Sequence, residues 1–92
     1  MTIASKKRLS RIADMGCVLC NHLGYGATPA QIHHRRTGTG LMRASDDDVI
    51  PLCVQHHTGP MGIHGMGRRA WEIFHGVTEL ELLEMTKSEL SE

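Results

Sequence analysis

Aromatic side chains are scarce in this 92-residue sequence, which has one Trp, one Tyr and one Phe. A chain this short buries only about 60–65% of the surface that its unfolded form exposes, so its hydrophobic core is thin. Ten glycines indicate many turns between short elements. We therefore expect one small domain, spanning residues 1–92, that needs a further stabilising element such as a bound metal ion.

Cysteine is also sparse, and Cys17, Cys20 and Cys53 are the full set. An odd number of cysteines does not fit a closed disulfide framework and favours metal binding or a free thiol. The first fifteen residues carry four basic side chains and lack the apolar stretch of a secretion signal. These features predict a reducing, cytoplasmic location.

The sequence has neither a long hydrophobic run nor a net charge. No apolar stretch approaches the roughly 18–20 residues that a membrane-spanning helix needs, so we expect a soluble protein with no membrane partner. The charges are unevenly distributed, because residues 1–43 hold seven Lys or Arg against one Asp, whereas residues 44–92 hold three against nine acids. The basic half predicts contact with nucleic acid phosphates, and the acidic half is expected to form the solvated face of a carboxy-terminal helix.

Hydrophobic spacing predicts a helix at the amino terminus. Within residues 5–15, Leu9, Ile12 and Met15 lie near helical spacing, and Gly16 is expected to end the helix. The segment that follows, from Cys17 to Cys20, is expected to form a tight knuckle turn.

Two more helices are expected towards the carboxy terminus, over residues 68–74 and 78–90. Thr78 is followed three residues later by Glu81, which is the signature of a capping box. The apolar face of the first of these helices is expected to contain Ala70, Trp71 and Phe74. We expect Trp71 to lie in the core and not to stack on a base.

Two short strands are expected over residues 31–35 and 49–53, with a loop over 36–48 between them. About one helical turn is expected directly after the second strand. The fold class is therefore α+β.

Paired Cys17-x2-Cys20 and Cys53-x2-His56 spacings predict a structural zinc site. Each spacing places two ligands on one turn, and the two halves together supply the three sulfurs and one nitrogen of a tetrahedral site. Spacing alone leaves His57 open as the fourth ligand in place of His56.

Two other interpretations of the cysteines are weaker. Cysteines also serve as small apolar core residues, but the second ligand pair favours a metal. Cys17, Cys20 and His33 have the spacing of the first three ligands of a DNA-binding zinc finger. That finger needs its two histidines three to five residues apart, whereas His33 and His34 are adjacent.

A second group of candidate functional residues contains four histidines and one acid. They are His33, His34, Asp48, His57 and His64. Neighbouring residues on a strand point to opposite faces, so one member of a histidine pair can bind a metal while the other faces a substrate. His22 and His75 lack such neighbours, and we expect surface or packing roles for them.

Arginines flank this second group, and their planar guanidinium groups suit phosphate oxygens. The candidate DNA-binding residues are Arg35, Arg36 and Arg43. Arg68 and Arg69 lie at the start of a predicted helix and are a weaker sign of function.

The order of these motifs resembles the HNH endonucleases. The motifs are C-x2-C, then His33-His34, then the segment from Asp48 through Cys53 to His57. More closely, the chain is similar to the phage and prophage recombination-enhancement, RecA-dependent (Ref-like) nucleases. That similarity rests on segments 32–40, 43–45, 50–57 and 69–72 together with His64.

The resemblance implies a zinc-stapled ββα-metal (HNH, or His-Me finger) core over residues 16–75. Flanking helices would lie in residues 1–15 and 76–92.

Specific roles also follow from the resemblance. It implies that His34 is the general base and that His33, His57 and His64 bind a catalytic divalent metal, which would be Mg²⁺, Mn²⁺, Ni²⁺ or Zn²⁺. Asp48 occupies the position where the family usually has the Asn that orients the base. The six-residue gap between His57 and His64 exceeds one helical turn and predicts a loop between the two ligands.

The expected function is hydrolysis of DNA phosphodiester bonds in phage or prophage recombination within a bacterial host. DNA is the expected partner, and the family resemblance adds a RecA filament. Two alternatives from other classes are a non-catalytic zinc-stapled DNA-binding module and a module that docks on a recombinase. The DNA-binding module would leave His34, His57 and His64 without a common purpose.

Overall fold

The computed structural model describes residues 3–35 and 47–91. These residues form six helices and a two-stranded sheet. In chain order they are α1 (Ile3–Asp14), α2 (Val18–His22), β1 (Gln31–His34), β2 (Val49–Leu52), α3 (Val54–His57), α4 (Ile63–Met66), α5 (Arg68–His75) and α6 (Glu79–Glu89). The predicted α+β class is confirmed at this level, and most of the predicted 36–48 loop lies outside the described residues.

The two strands form an antiparallel ladder in which His33 pairs with Ile50 and His34 pairs with Val49. Both strands agree with prediction to within one residue. All four residues of β2 are buried, because β2 packs against α2 and α6 as well as against β1. In β1 only His33 is buried, so the sheet places one histidine of the pair inside and leaves the other partly exposed.

Helix α1 spans residues 3–14 and covers one end of the sheet. The three apolar residues that predicted this helix all contribute to a small cluster there. Ile12 is buried with Val49 and Leu90, and Leu9 and Met15 pack around them. Gly16 follows at φ 82°, a left-handed conformation that glycine adopts without strain.

The predicted knuckle turn at Cys17 continues into a short helix, α2. The Cys20 backbone N–H donates to Cys17 Sγ at 3.3 Å, so the cysteine side chain caps the first helical turn. The segment after β2 also forms one helical turn, α3, as predicted. The Cys17–Cys20 pair and the Cys53–His56 pair therefore lie at the starts of short helices.

Helices α5 and α6 agree with prediction to within one residue at each end. Thr78 Oγ1 accepts from the Glu81 backbone N–H at 3.1 Å, and Glu81 Oε1 accepts from the Thr78 N–H at 3.0 Å, so the capping box is confirmed. The expected apolar face of α5 is wrong in part. Trp71 is fully buried, but Phe74 is 61% exposed, because the core contacts only one side of this short helix.

The main core lies between α2, β2, α5 and α6. Its members include Leu19, Ile50, Leu52, Trp71 and Leu82, together with all three cysteines. Within the described part of the chain, no helix is long and apolar enough to cross a membrane.

Candidate functional site

Four predicted zinc ligands converge in the core as a Cys3His cluster, formed by Cys17, Cys20, Cys53 and His56. The three cysteines are buried, with exposed fractions of 5% or less, and His56 is partly buried. Helix α2 and the residue before it supply two ligands, and α3 and the residue before it supply the other two. The set can bind a metal ion such as zinc.

Distances within the Cys3His cluster match those of a tetrahedral zinc site. Cys20 Sγ lies 3.7 Å from Cys53 Sγ. His56 Nδ1 lies 3.3 Å from Cys53 Sγ, 3.5 Å from Cys20 Sγ and 3.8 Å from Cys17 Sγ. Tetrahedral zinc, with bonds of about 2.3 Å to sulfur and 2.0 Å to nitrogen, separates two sulfurs by about 3.8 Å and sulfur from nitrogen by about 3.5 Å. The cluster therefore has room for zinc without rearrangement.

Burial affects the protonation of these ligands in opposite directions. It raises the pKa of the Cys17 thiol to about 12, because a thiolate is poorly solvated in the core. It lowers the pKa of His56, which favours the neutral imidazole that a metal needs. A bound cation would reverse the effect on cysteine, since its charge stabilises the thiolate.

A second cluster, the histidine trio, is formed by His33 on β1, His57 on α3 and His64 on α4. One ligand atom of each residue lies within 4.8 Å of the others. His57 Nε2 and His64 Nε2 are 3.1 Å apart. Two nitrogens bound to one metal at about 2.0–2.1 Å lie about 2.9–3.4 Å apart for angles between octahedral and tetrahedral values, so the spacing suits a shared cation.

A turn over residues 58–62 separates His57 from His64, as the gap between them predicted. Close backbone packing holds this turn in place. A Cβ atom at Gly65 would lie 2.7 Å from the Pro60 carbonyl oxygen and would clash even more closely with that of Gly59. Helix α4 can approach the turn because position 65 has no side chain.

Hydrogen bonds to the outer nitrogens orient two rings of the histidine trio. His57 Nδ1 lies 2.9 Å from Gln31 Oε1 and donates to this amide oxygen, so the lone pair of the neutral ring lies on Nε2, the atom that faces His64. His33 Nε2 lies 2.7 Å from Glu79 Oε2. The opposite nitrogen, His33 Nδ1, is buried and has no hydrogen-bond partner among the described residues. A buried lone pair without a donor is costly, and a cation would satisfy it.

The pKa of His57 is lowered to about 4, first by burial and then by the neighbouring His33 and His64. Its imidazole is therefore neutral at neutral pH. A neutral ring is the form that binds divalent metals.

His34 is partly exposed and lines the same open pocket of about 350 Å³ as His33 and His64. Arg68 and Glu79 also line this pocket. The second histidine of the pair thus lies beside the trio without belonging to it. This is the arrangement that a separate general base would need.

Asp48 lies at the end of the strand ladder. Its backbone carbonyl accepts from the Arg35 N–H at 2.8 Å. Its carboxylate lies 3.9 Å from the Arg35 guanidinium. Asp48 is not part of either metal-capable cluster found among the described residues, so these contacts fit a role in orienting the strand after His34.

The three arginines expected to bind DNA are only partly described. Arg35 is placed beside Asp48, with its side chain 19% exposed. Arg36 and Arg43 lie outside the described residues. Arg68 lines the pocket next to the histidine trio and donates to Glu72 at 2.8 Å.

The two histidines expected to have other roles lie outside both clusters. His22 is exposed at the end of α2. His75 packs its ring against His56, at a centroid distance of 5.1 Å, and against Trp71 at 5.3 Å. These contacts fit a packing role beside the Cys3His cluster.

The sequence did not identify Glu79 and Gln31 as site residues. Glu79 is only 3% exposed, so the expectation that the acids of α6 form a solvated face is wrong for this residue. Its contact with His33 joins residues 46 positions apart, and no local pattern marks it. Gln31, two residues before His33 on β1, was visible only as part of a strand.

Comparison of the chain with protein-family models, curated proteins and solved structures gives no match. The assignment of function therefore rests on the geometry of the Cys3His cluster and the histidine trio.

Proposed function

We propose that this protein is a metal-dependent DNA endonuclease that hydrolyses phosphodiester bonds. The observation that carries the proposal is the convergence of His33, His57 and His64 beside the pocket that His34 also lines. Three imidazoles arranged to share a cation, with a fourth nearby, are more than a stable fold requires. Their order in the chain also follows the HNH resemblance.

In the proposed reaction His34 acts as the general base. Histidine changes protonation near neutral pH and can take a proton from the water that attacks the scissile phosphorus. The contacts of Asp48 with Arg35, the residue after His34, support the strand end that carries this base. Asp48 is therefore a positioning residue.

The histidine trio would hold the catalytic divalent ion. When bound, such an ion supplies Lewis-acid stabilisation of the negative charge that develops on the phosphate and the leaving oxygen. The ligand atoms would be His33 Nδ1, His57 Nε2 and His64 Nε2, because the other ring nitrogens of His33 and His57 contact Glu79 and Gln31, and His64 approaches His57 through Nε2. Ligation by imidazoles favours Mn²⁺, Ni²⁺, Co²⁺ or Zn²⁺ over Mg²⁺.

The Cys3His cluster would hold a structural zinc ion. It joins the start of α2 to the start of α3, and α3 carries His57 of the histidine trio. A zinc ion there would stabilise the thin core and fix the position of a catalytic ligand at the same time.

The basic amino-terminal half would supply the contact with DNA. Lys6, Lys7 and Arg11 on α1 are exposed. Contacts from such side chains to phosphates carry no base-specific information, so cleavage should depend weakly on sequence. By resemblance to Ref-like nucleases, we place this activity in phage or prophage recombination, with a RecA filament as the proposed partner.

A plasmid-nicking assay tests the proposal. Zinc-loaded protein should nick supercoiled plasmid when Mn²⁺ is added, and a RecA-coated single strand paired with the plasmid should increase the rate. H34A should lower the nicking rate by about 100-fold or more while zinc content and melting temperature stay unchanged. H22A, which removes an exposed histidine outside both clusters, is the matched control and should nick normally.

Two outcomes contradict the proposal in different ways. Undiminished nicking by H34A would remove the general-base role from that residue. Absence of nicking by the wild-type protein with Mn²⁺, Ni²⁺, Co²⁺ or Mg²⁺ would contradict nuclease activity altogether. A gel shift without cleavage would then favour the DNA-binding alternative.

A further inference from the structure

Glu79 and His33 form a buried contact, and Glu79 has no direct part in the proposed reaction. His33 Nε2 and Glu79 Oε2 are 2.7 Å apart, and the two side chains are only 5% and 4% exposed. An ionised carboxylate can only accept hydrogen bonds, so beside ionised Glu79 a neutral His33 carries its proton on Nε2. The lone pair then lies on Nδ1, which is buried and has no hydrogen-bond partner within residues 3–35 and 47–91.

The position of Glu79 is itself fixed. It is the first residue of α6, where the helix dipole and free backbone N–H groups favour a negative side chain. Its own backbone N–H donates to Glu72 Oε2 at 2.7 Å, and Glu72 Oε1 accepts from Arg68 at 2.8 Å. Helix α5 therefore holds the start of α6 against His33.

A purely structural role would not explain this arrangement. Removing a carboxylate from water is costly, and an apolar pair of similar volume usually stabilises a core at least as well. The contact also leaves one nitrogen of His33 buried and unpartnered, which is a further cost. Both costs are recovered if Nδ1 binds a cation, because the carboxylate then increases the basicity of the ligand ring.

We propose that Glu79 is a positioning residue that selects the metal-binding tautomer of His33 and strengthens its bond to the metal. The inference rests on the proposed metal site of the histidine trio. Glu79 on α6 would then support the metal site indirectly, through its contact with His33 on β1.

Metal affinity and ring protonation together test this role. Zinc-loaded wild type, E79Q and E79L are titrated with Co²⁺ by calorimetry. E79L should bind Co²⁺ about 10–100-fold more weakly, and E79Q, which can still accept through its amide oxygen, should recover part of the loss. E84L replaces an exposed glutamate on the same helix and should bind like wild type.

Imidazole ¹⁵N NMR adds a readout that a stability change alone would not move. In the metal-free trio of wild type and E84L, the His33 proton should lie on Nε2, and in E79L the ring should become a mixture of both tautomers. Unchanged Co²⁺ affinity in E79L, or a His33 proton on Nδ1 in wild type, would overturn the inference. If E79L fails to fold, the Co²⁺ affinity of E79Q and the His33 tautomer in the wild-type spectrum still test the inference.

The outcome is separable from that of the nuclease proposal. A protein that binds Co²⁺ in a Glu79-dependent way but cuts no DNA would contradict the nuclease and leave this inference standing. If the wild type cuts DNA and E79L binds Co²⁺ as tightly as the wild type, the nuclease proposal stands and this inference is contradicted.

Discussion

His56 and His57 are neighbours in the chain, yet their rings belong to different clusters. His56 Nδ1 lies 3.3 Å from Cys53 Sγ, and His57 Nε2 lies 3.1 Å from His64 Nε2. Consecutive residues on a helix do not face each other, so one turn of α3 can direct two rings to two centres. This relationship groups His56, and not His57, with the three cysteines, and it couples the geometry of the two clusters.

Loss of a cysteine ligand should destabilise the fold, whereas loss of a trio ligand should leave its stability nearly unchanged. C53S should lose zinc and unfold at a much lower temperature than the wild type, because the thin core then lacks the stabilisation that a structural zinc ion supplies. H57A should keep zinc and the fold but lose the second ion. Circular dichroism gives the melting temperature of each variant, and elemental analysis gives its metal content. A C53S variant that melts like the wild type would contradict the structural role of zinc.

Zinc binding should release protons. Burial raises the pKa of Cys17 to about 12 in the metal-free fold, so this group is a thiol at neutral pH, and zinc must displace its proton. Affinity for zinc should therefore rise with pH, by about tenfold per pH unit for each proton released. Calorimetry in buffers of different ionisation enthalpy counts these protons. A zinc affinity independent of pH between 6 and 8, roughly one unit either side of neutral, would contradict this expectation.

The raised pKa of Cys17 also predicts how the stability of the metal-free fold changes at alkaline pH. The Cys17 pKa is raised above its ordinary value of 9.0, so the folded state retains the proton more strongly than the unfolded state does. The resulting stabilisation is complete below pH 9 and is lost as the pH rises towards 12. Zinc-loaded protein, which already holds the thiolate, should lack this loss, and urea melts across this range would show the difference.

The close approach at Gly65 predicts a selective effect on the histidine trio. In G65A the added methyl group meets the backbone of Gly59 and Pro60, so α4 must move away and take His64 with it. We expect at least a tenfold loss of Co²⁺ affinity and a destabilisation of about 1–3 kcal/mol, typical of overpacking. Zinc content serves as the internal control. Unchanged Co²⁺ binding would show that His64 is not a ligand.

Two aromatic residues on α5 should differ sharply in their contribution to stability. Trp71 is fully buried and Phe74 is 61% exposed. W71A should therefore cost about 3–5 kcal/mol, whereas F74A should cost about 0.5 kcal/mol or less. W71F should fold and bind DNA normally. A selective loss of DNA binding by W71F would instead indicate that Trp71 stacks on a base.

The features that the sequence predicted well depend on short spacings. The Cys-x2-Cys and Cys-x2-His pairs fix their own local geometry, and the Thr78–Glu81 capping box closes within a single turn. The start of α6 could therefore be placed to within one residue. The alternation of His33 and His34 also follows from strand geometry alone.

The features that the sequence did not predict depend on tertiary contacts. Glu79 looks like any acid in the first turn of a helix, and only the packing of α6 against β2 brings it to His33. Phe74 has the correct helical spacing for an apolar face but lies on the side of α5 that the core does not cover. Periodicity identifies a face, whereas the size of the neighbouring surface decides how much of it is buried.

Anomalous diffraction would show whether two separate ions organise this small domain. Crystals of zinc-loaded protein soaked in Mn²⁺ would be measured at the zinc and manganese absorption edges. We expect a zinc peak enclosed by Cys17, Cys20, Cys53 and His56, and a distinct manganese peak among His33, His57 and His64. A structure with no sulfur-bound ion, or with no metal at the three imidazoles, would contradict this expectation.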